Sequence, residues 1–168
     1  MKTLLMITLA LTSSLAVANV KVGLVNIQKI IVTVKEGKTV NQTLEKSYKA
    51  KKKLIEKEEK AIMKLQEQFK KQDAVLSNAA KAKKSQEIAQ RIQKVRQTMD
   101  MYQKEIRKQE AELKKPILER LKPIIDQVSK TEKVTVTFEI SASPIVYAEN
   151  KVDITDKVIK AYDKKHSK

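Results

Sequence analysis

The sequence predicts an α+β protein: a small β-containing body from which a long α-helical coiled-coil hairpin projects. Three observations carry this. From Lys35 to Lys115 there is no proline and no glycine after Gly37, and the stretch is rich in Lys, Gln, Glu and Ala, all good helix formers. Apolar residues in that stretch recur at coiled-coil spacing. Short β-branched runs occur only outside it, near both ends of the chain. Strands distant in sequence would then meet in one small sheet that clamps the hairpin's base. The expected division is a leader at 1–18 and a single domain at 19–168, with its body at 19–34 and 117–168 and its arm at 35–116.

The chain opens like a removable export signal. Lys2 supplies the positive charge, Leu4 to Leu15 is an apolar run of about twelve residues, and Ala16-Val17-Ala18 is a small-x-small cleavage site. A membrane-spanning anchor would need about 20 apolar residues. Cleavage after Ala18 starts the mature chain at Asn19 and points to the periplasm. No cysteine occurs anywhere, which excludes lipid attachment to an N-terminal cysteine, disulfides and zinc-thiolate sites.

Val20 to Ile27 is apolar at nearly every position and reads as a strand buried on both faces. Asn26 can cap a short helix through Ile27 to Val32. Glu36-Gly37-Lys38 reads as an interruption before the long first arm. In that arm Tyr48, Ile55, Ile62, Phe69 and Leu76 recur every seven, while the companion slot holds Lys51, Glu58, Leu65 and Gln72. The second arm has the denser seam: Ile88, Ile92, Val95, Met99, Tyr102, Ile106, then Gln109 and Leu113. Ser77 to Lys81 breaks the pattern and reads as the turn, giving two arms roughly 60 Å long at ~1.5 Å per residue.

Proline inside a helix removes a hydrogen bond and crowds the preceding turn, so Lys115-Pro116 predicts a kink, or a break with Pro116 opening a new segment. After it, Ile117, Leu121, Ile124, Ile125 and Val128 share one face and should pack in the core. Val134 to Ile140 alternates strictly, apolar at even positions, and is the clearest strand. Ser141 to Pro144 should turn, Ile145 to Ala148 should form another short strand, and Glu149 to Lys151 should turn again. Thr155, or Asp153 before it, would cap a last helix carrying Val158, Ile159 and Tyr162, followed by a polar tail from Lys164 to Lys168.

Composition excludes more than it assigns. The only histidine is His166 in the tail, so a histidine-based triad or metal cluster is excluded; Gly23 and Gly37 are the only glycines, so there is no phosphate-cradling loop. No serine sits in a nucleophile elbow, and the helical carboxylates alternate with lysines at ion-pair spacing. The sequence therefore predicts no enzyme, no catalytic or metal-binding residue and no cofactor. Charge is the positive signal. The hairpin carries 23 basic against 12 acidic residues, more than paired solvated faces need, and such a field attracts nucleic acid, anionic membrane faces or acidic polypeptides. The roughly sixty residues left for a compact core are marginal alone, and with no disulfide available a homo-oligomer is expected.

These residues resemble a known family, the Skp/OmpH periplasmic chaperones. Lys21-Val22-Gly23-Leu24-Val25-Asn26-Ile27-Gln28-Lys29-Ile30 is similar to the family's first strand and short helix, and Glu36-Gly37-Lys38 to the segment leading into its first arm. Val146-Tyr147-Ala148, then Val152-Asp153-Ile154-Thr155-Asp156 and Val158-Ile159, resemble its C-terminal signature. The match spans essentially the whole mature chain. It departs at Pro116 and Pro123 near the arm's hinge, and at Val34-Lys35, where many members have Ser-Pro.

The resemblance implies a homotrimer in which strands of three subunits form a small barrel-like body and three hairpins enclose a cavity. Such chaperones hold unfolded outer-membrane β-barrel proteins without ATP. On that reading the outer half of the hairpin contacts clients through Lys70, Lys71, Lys81, Lys83, Lys84, Arg91 and Lys94, with Phe69, Met99 and Met101 as adaptable apolar contacts. Val22, Leu24, Val136, Phe138 and Val146 would build the body's core or the contact between subunits. Two other classes fit parts of the pattern. One is a binder of anionic polymers; six aromatics are too few for a base-stacking platform and export argues against nucleic acid, so lipopolysaccharide or an anionic membrane surface is the partner to weigh. The other is a structural coiled-coil spacer of the envelope, against which the sparse first-arm seam argues.

Overall fold

The computed structural model describes residues 20–142 and 145–166. The leader at 1–18, Ser143-Pro144 of one expected turn and the end of the tail lie outside them. In chain order the elements are β1 (Val22–Val25), α1 (Ile27–Thr33), α2 (Lys35–Gln72), a 3₁₀ turn (Asp73–Val75), α3 (Asn78–Thr131), β2 (Val136–Glu139), β3 (Lys151–Asp153) and α4 (Thr155–His166).

β1 runs parallel to both neighbours and lies between them, so the sheet order is β2-β1-β3. Val22 stands beside Val136 and Leu24 beside Phe138. Because side chains alternate across a strand, these four share one sheet face, and Gly23 and Val25 share the other. Only the second face is buried, under the helices. The expectation that β1 is buried on both faces therefore fails in the single chain: a three-stranded sheet with helices on one side leaves its other side open.

The helices that cover the sheet make the core. Ile30, Ile31 and Val34, then Ile117, Leu121, Ile124 and Val128 from the end of α3, meet Ile154, Val158 and Tyr162 around α4. Asn26 caps α1, its side chain accepting from the Lys29 N–H at 2.7 Å. For α4 it is the Asp153 carboxylate that accepts from the Thr155 N–H at 2.8 Å. The buried Thr155 hydroxyl instead accepts from the Asn26 N–H at 3.0 Å, tying the start of α1 to the start of α4.

Four other expectations are corrected. The break before the first arm is at Val34, whose extended backbone (φ −59°, ψ 150°) separates α1 from α2, while Gly37 lies inside the first turns of α2. The hairpin turn is Asp73 to Ser77; Asn78 to Lys81 already belong to α3, capped by Ser77, whose hydroxyl accepts from the Ala80 N–H at 3.3 Å. α3 passes through both Pro116 and Pro123 without a break, although each interior proline costs about 3 kcal/mol. The adjoining Ile117, Leu121 and Ile124 are fully buried, and at roughly 1.5–3 kcal/mol each their burial is of the same size as the cost of the two prolines and offsets it. Finally, Ile145 to Ala148 form no strand; the third strand starts at Lys151, where a turn was expected, because β1 accepts Val152 rather than Val146 as its neighbour.

Gly37 shows how tightly α2 is docked. A Cβ added there would lie 1.7 Å from the Ile31 carbonyl oxygen, a backbone atom that cannot swing aside. Alanine normally gains about 1 kcal/mol over glycine in a helix, but a forced backbone shift costs about 1–3 kcal/mol or more. Gly37→Ala is expected to lower the urea-unfolding midpoint. An unchanged or higher midpoint would show that the α1–α2 junction gives way freely.

Candidate functional site

The hairpin is held at its root by a cluster of charged and phenolic groups. Glu36, in the first turn of α2, accepts two hydrogen bonds from one guanidinium nitrogen of Arg120 on α3, both at 2.9 Å, and one from the Tyr162 hydroxyl of α4 at 2.6 Å. Next to it, the Asp163 carboxylate accepts from the Lys35 N–H at 2.9 Å. Val34 has no side-chain acceptor for the N-terminus of α2, so α4 supplies one across the fold. Burial, and then the bond to Glu36, push the Tyr162 hydroxyl up from 10 to about 12.

Outward from the root the two arms pack in a second apolar cluster, with Ile62, Ile88 and Val95 buried and Ile55, Leu65, Phe69 and Ile92 half-buried around them. The polar residues of the sparse first-arm seam are not idle. Lys51 lies over the Tyr102 ring, 4.4 Å from its centroid, and pairs with Glu105. Glu58 accepts from Arg91 at 3.2 Å and Gln72 from Lys84 at 2.7 Å. Exposed pairs of this kind contribute about 0–1 kcal/mol each. Their placement at multiples of seven residues along the first arm selects one alignment of the arms more than it strengthens it.

The expected contact residues divide on this geometry. Lys71 pairs with Glu67 at 2.7 Å and Lys81 with Asp73 at 3.1 Å, while Lys84 and Arg91 join the arms as above. Lys70, Lys83 and Lys94 are exposed and form no ion pair among the described residues. Phe69 is half-buried against the second apolar cluster, whereas Met99 and Met101 are each about half exposed. Between Lys60 and Arg96 there are ten basic and three acidic residues. All three acids, Glu67, Asp73 and Glu87, are already paired within the arms. The surplus positive charge of the outer hairpin is therefore uncompensated.

None of Val22, Leu24, Val136, Phe138 and Val146 belongs to the chain's own core. Register places the first four on the open sheet face, half-buried at most, and Val146 is 99% exposed in the segment before β3. Sequence reasoning missed the root cluster altogether. Glu36 stood out only as part of a motif, and Arg120, Tyr162 and Asp163 look like any charged or amphipathic helical positions.

A family model described as outer membrane protein (OmpH-like) matches residues 21–162 of the chain. The fold is similar to a crystal structure from Caulobacter crescentus described as a candidate outer membrane chaperone (OmpH-like). The TM-score is 0.69 at 18% identity, over 95% of this chain and 92% of that one. No curated protein matches the chain.

The root cluster has a pH signature. The fold favours the neutral phenol of Tyr162, so its stabilisation is complete below pH 10 and is lost as pH rises from 10 through about 12. Tyr162→Phe is expected to cost about 1.5–3 kcal/mol near neutrality, as for a hydrogen bond to a charged acceptor. Between pH 10 and 12 the difference from the parent chain should shrink. A difference constant across that range, measured by urea unfolding, would place the effect in packing rather than in the hydroxyl.

Proposed function

We propose, from the premise that the chain belongs to the OmpH-like outer membrane protein family, that it is a periplasmic holdase for unfolded outer-membrane proteins. It captures them without ATP between basic helical arms and keeps them from aggregating. The observation that carries this reading is the outer hairpin, where every acid is internally paired and the basic surplus is left to attract partners. Long-range attraction of acidic unfolded chains speeds capture, and exposed Met99 and Met101 add soft apolar contacts that adapt to many sequences. Weak contacts spread along mobile side chains hold a client without a fixed pose, which suits release.

The working form in this reading is a homotrimer. The open sheet face with Val22, Leu24, Val136 and Phe138 supports it, as does the small core built from few residues of each chain. Val146 and Tyr147, almost fully exposed, stand ready to join the same contact. Leu24→Asp would put a charge into that contact and is expected to convert the oligomer to monomer in sedimentation equilibrium with the helical spectrum retained. An unchanged oligomer would remove the open face from the interface.

The uncompensated charge also favours a second reading, binding of an anionic polymer such as lipopolysaccharide. Light scattering during dilution of a urea-unfolded outer-membrane barrel protein separates the two. The holdase suppresses scattering with no ATP, at about three chains per client, and less well as salt rises. Replacing Lys70, Lys83 and Lys94 together by glutamate is expected to weaken suppression several-fold without altering the melting curve. Unchanged scattering with the folded parent protein would sink the holdase reading and leave the anionic polymer.

A further inference from the structure

Between the core at the root and the second apolar cluster lies a stretch where the arms do not close on each other. A groove of about 590 Å³ opens there between α2 and α3, with Tyr48, Ile55, Met99 and Ile106 in its apolar lining. That volume is in the range of clefts that hold side chains or small ligands. Tyr48 and Met99 are about half exposed, 57% and 48%, so the lining is open to a partner rather than to the opposite arm.

The charge at the groove is opposite to that of the hairpin around it. Glu56, Glu59 and Asp100 line it against two lysines, Lys51 and Lys52. Lys51 is already engaged by Glu105 and the Tyr102 ring, and Lys52 reaches Glu56 at 3.7 Å. Glu59 and Asp100 have no ion pair among the described residues. In an arm with about twice as many bases as acids, two free carboxylates thus stand beside an apolar, aromatic floor. A guanidinium or ammonium brought beside one of these carboxylates is held by the opposite charge, and stacking on the tyrosine ring adds to that hold.

We propose that this groove docks client segments that carry arginine or lysine among apolar side chains, so that one arm holds both signs of a client's charge. Acidic segments go to the outer half and cationic-apolar segments to the groove. The inference rests on the holdase reading for the identity of the client, but not for the existence of the site.

Its test uses two synthetic peptides with the same apolar and aromatic residues, one bearing arginines and the other glutamates. A photo-crosslinking amino acid replaces Gln103 at the groove in one version of the full mature chain and exposed Ala82 near the tip in another. The arginine peptide is expected to label position 103 at least fivefold more than the glutamate peptide, with the order reversed at position 82. Glu59→Gln with Asp100→Asn should abolish the preference at 103 and leave that at 82, since neither side chain has a partner to lose among the described residues. Equal labelling of 103 by both peptides, or a preference that survives the double substitution, overturns the groove. The aggregation assay is independent of these peptides. Suppression without charge-selective labelling sinks the groove alone, and selective labelling without suppression sinks the holdase alone.

Discussion

One carboxylate joins three helices at the root of the arm. Glu36 sits at the start of α2, where backbone N–H groups lack partners and favour negative charge. From there it binds Arg120 of α3 and Tyr162 of α4, while Asp163 caps the same helix start. Three helices from distant parts of the sequence converge on about one turn. A hairpin of two helices roughly 60 Å long exerts a long lever on its root. Apolar packing resists separation but slides; hydrogen bonds of fixed direction resist rotation. The root combines both, with Gly37 letting α2 touch the Ile31 carbonyl and the Glu36 network fixing its heading.

Beyond the root the hairpin alternates dry and wet segments. The core reaches up the arms through Leu44 and Leu113, the groove follows, and Ile62, Ile88 and Val95 then close a second dry segment. A continuous seam would make a stiff rod; an interrupted one keeps the alignment through cross-arm polar pairs while leaving apolar groups within reach of a partner. In the holdase reading we propose, that compromise suits capture of chains without a fixed shape. The same economy appears in the body, where one sheet face is covered by the chain's own helices and the other is left open.

Much of this was legible in the residues. The two long helices of the hairpin, the Asn26 cap, the strand within Val134 to Ile140 and the buried stripe from Ile117 to Val128 follow from helix propensity and apolar period, which are local properties. The prolines misled in one respect. Local rules allow a break at Pro116, and the helix runs on because Leu113 before the expected fault and Ile117 after it pack into the same core. Ile145 to Ala148 misled in another: the run has the right residue types for a strand, but β1's edge is taken by Lys151–Asp153. Lys84 and Arg91 could be seen as basic and exposed, yet only the facing arm reveals Gln72 and Glu58 as their partners.

By itself, then, the sequence determined the kinds of element, their order, the hairpin's length and the sign of its field, because periodicity, propensity and charge act over a few residues at a time. The tertiary structure alone decided which face of the sheet stays open, which lysines remain free, and where the arms part to form a groove. It alone joined Glu36 to Arg120 and Tyr162, 84 and 126 positions away. Those outcomes depend on register between segments remote in the chain, and a one-residue slip would exchange every inward and outward side chain while leaving the local pattern as it is.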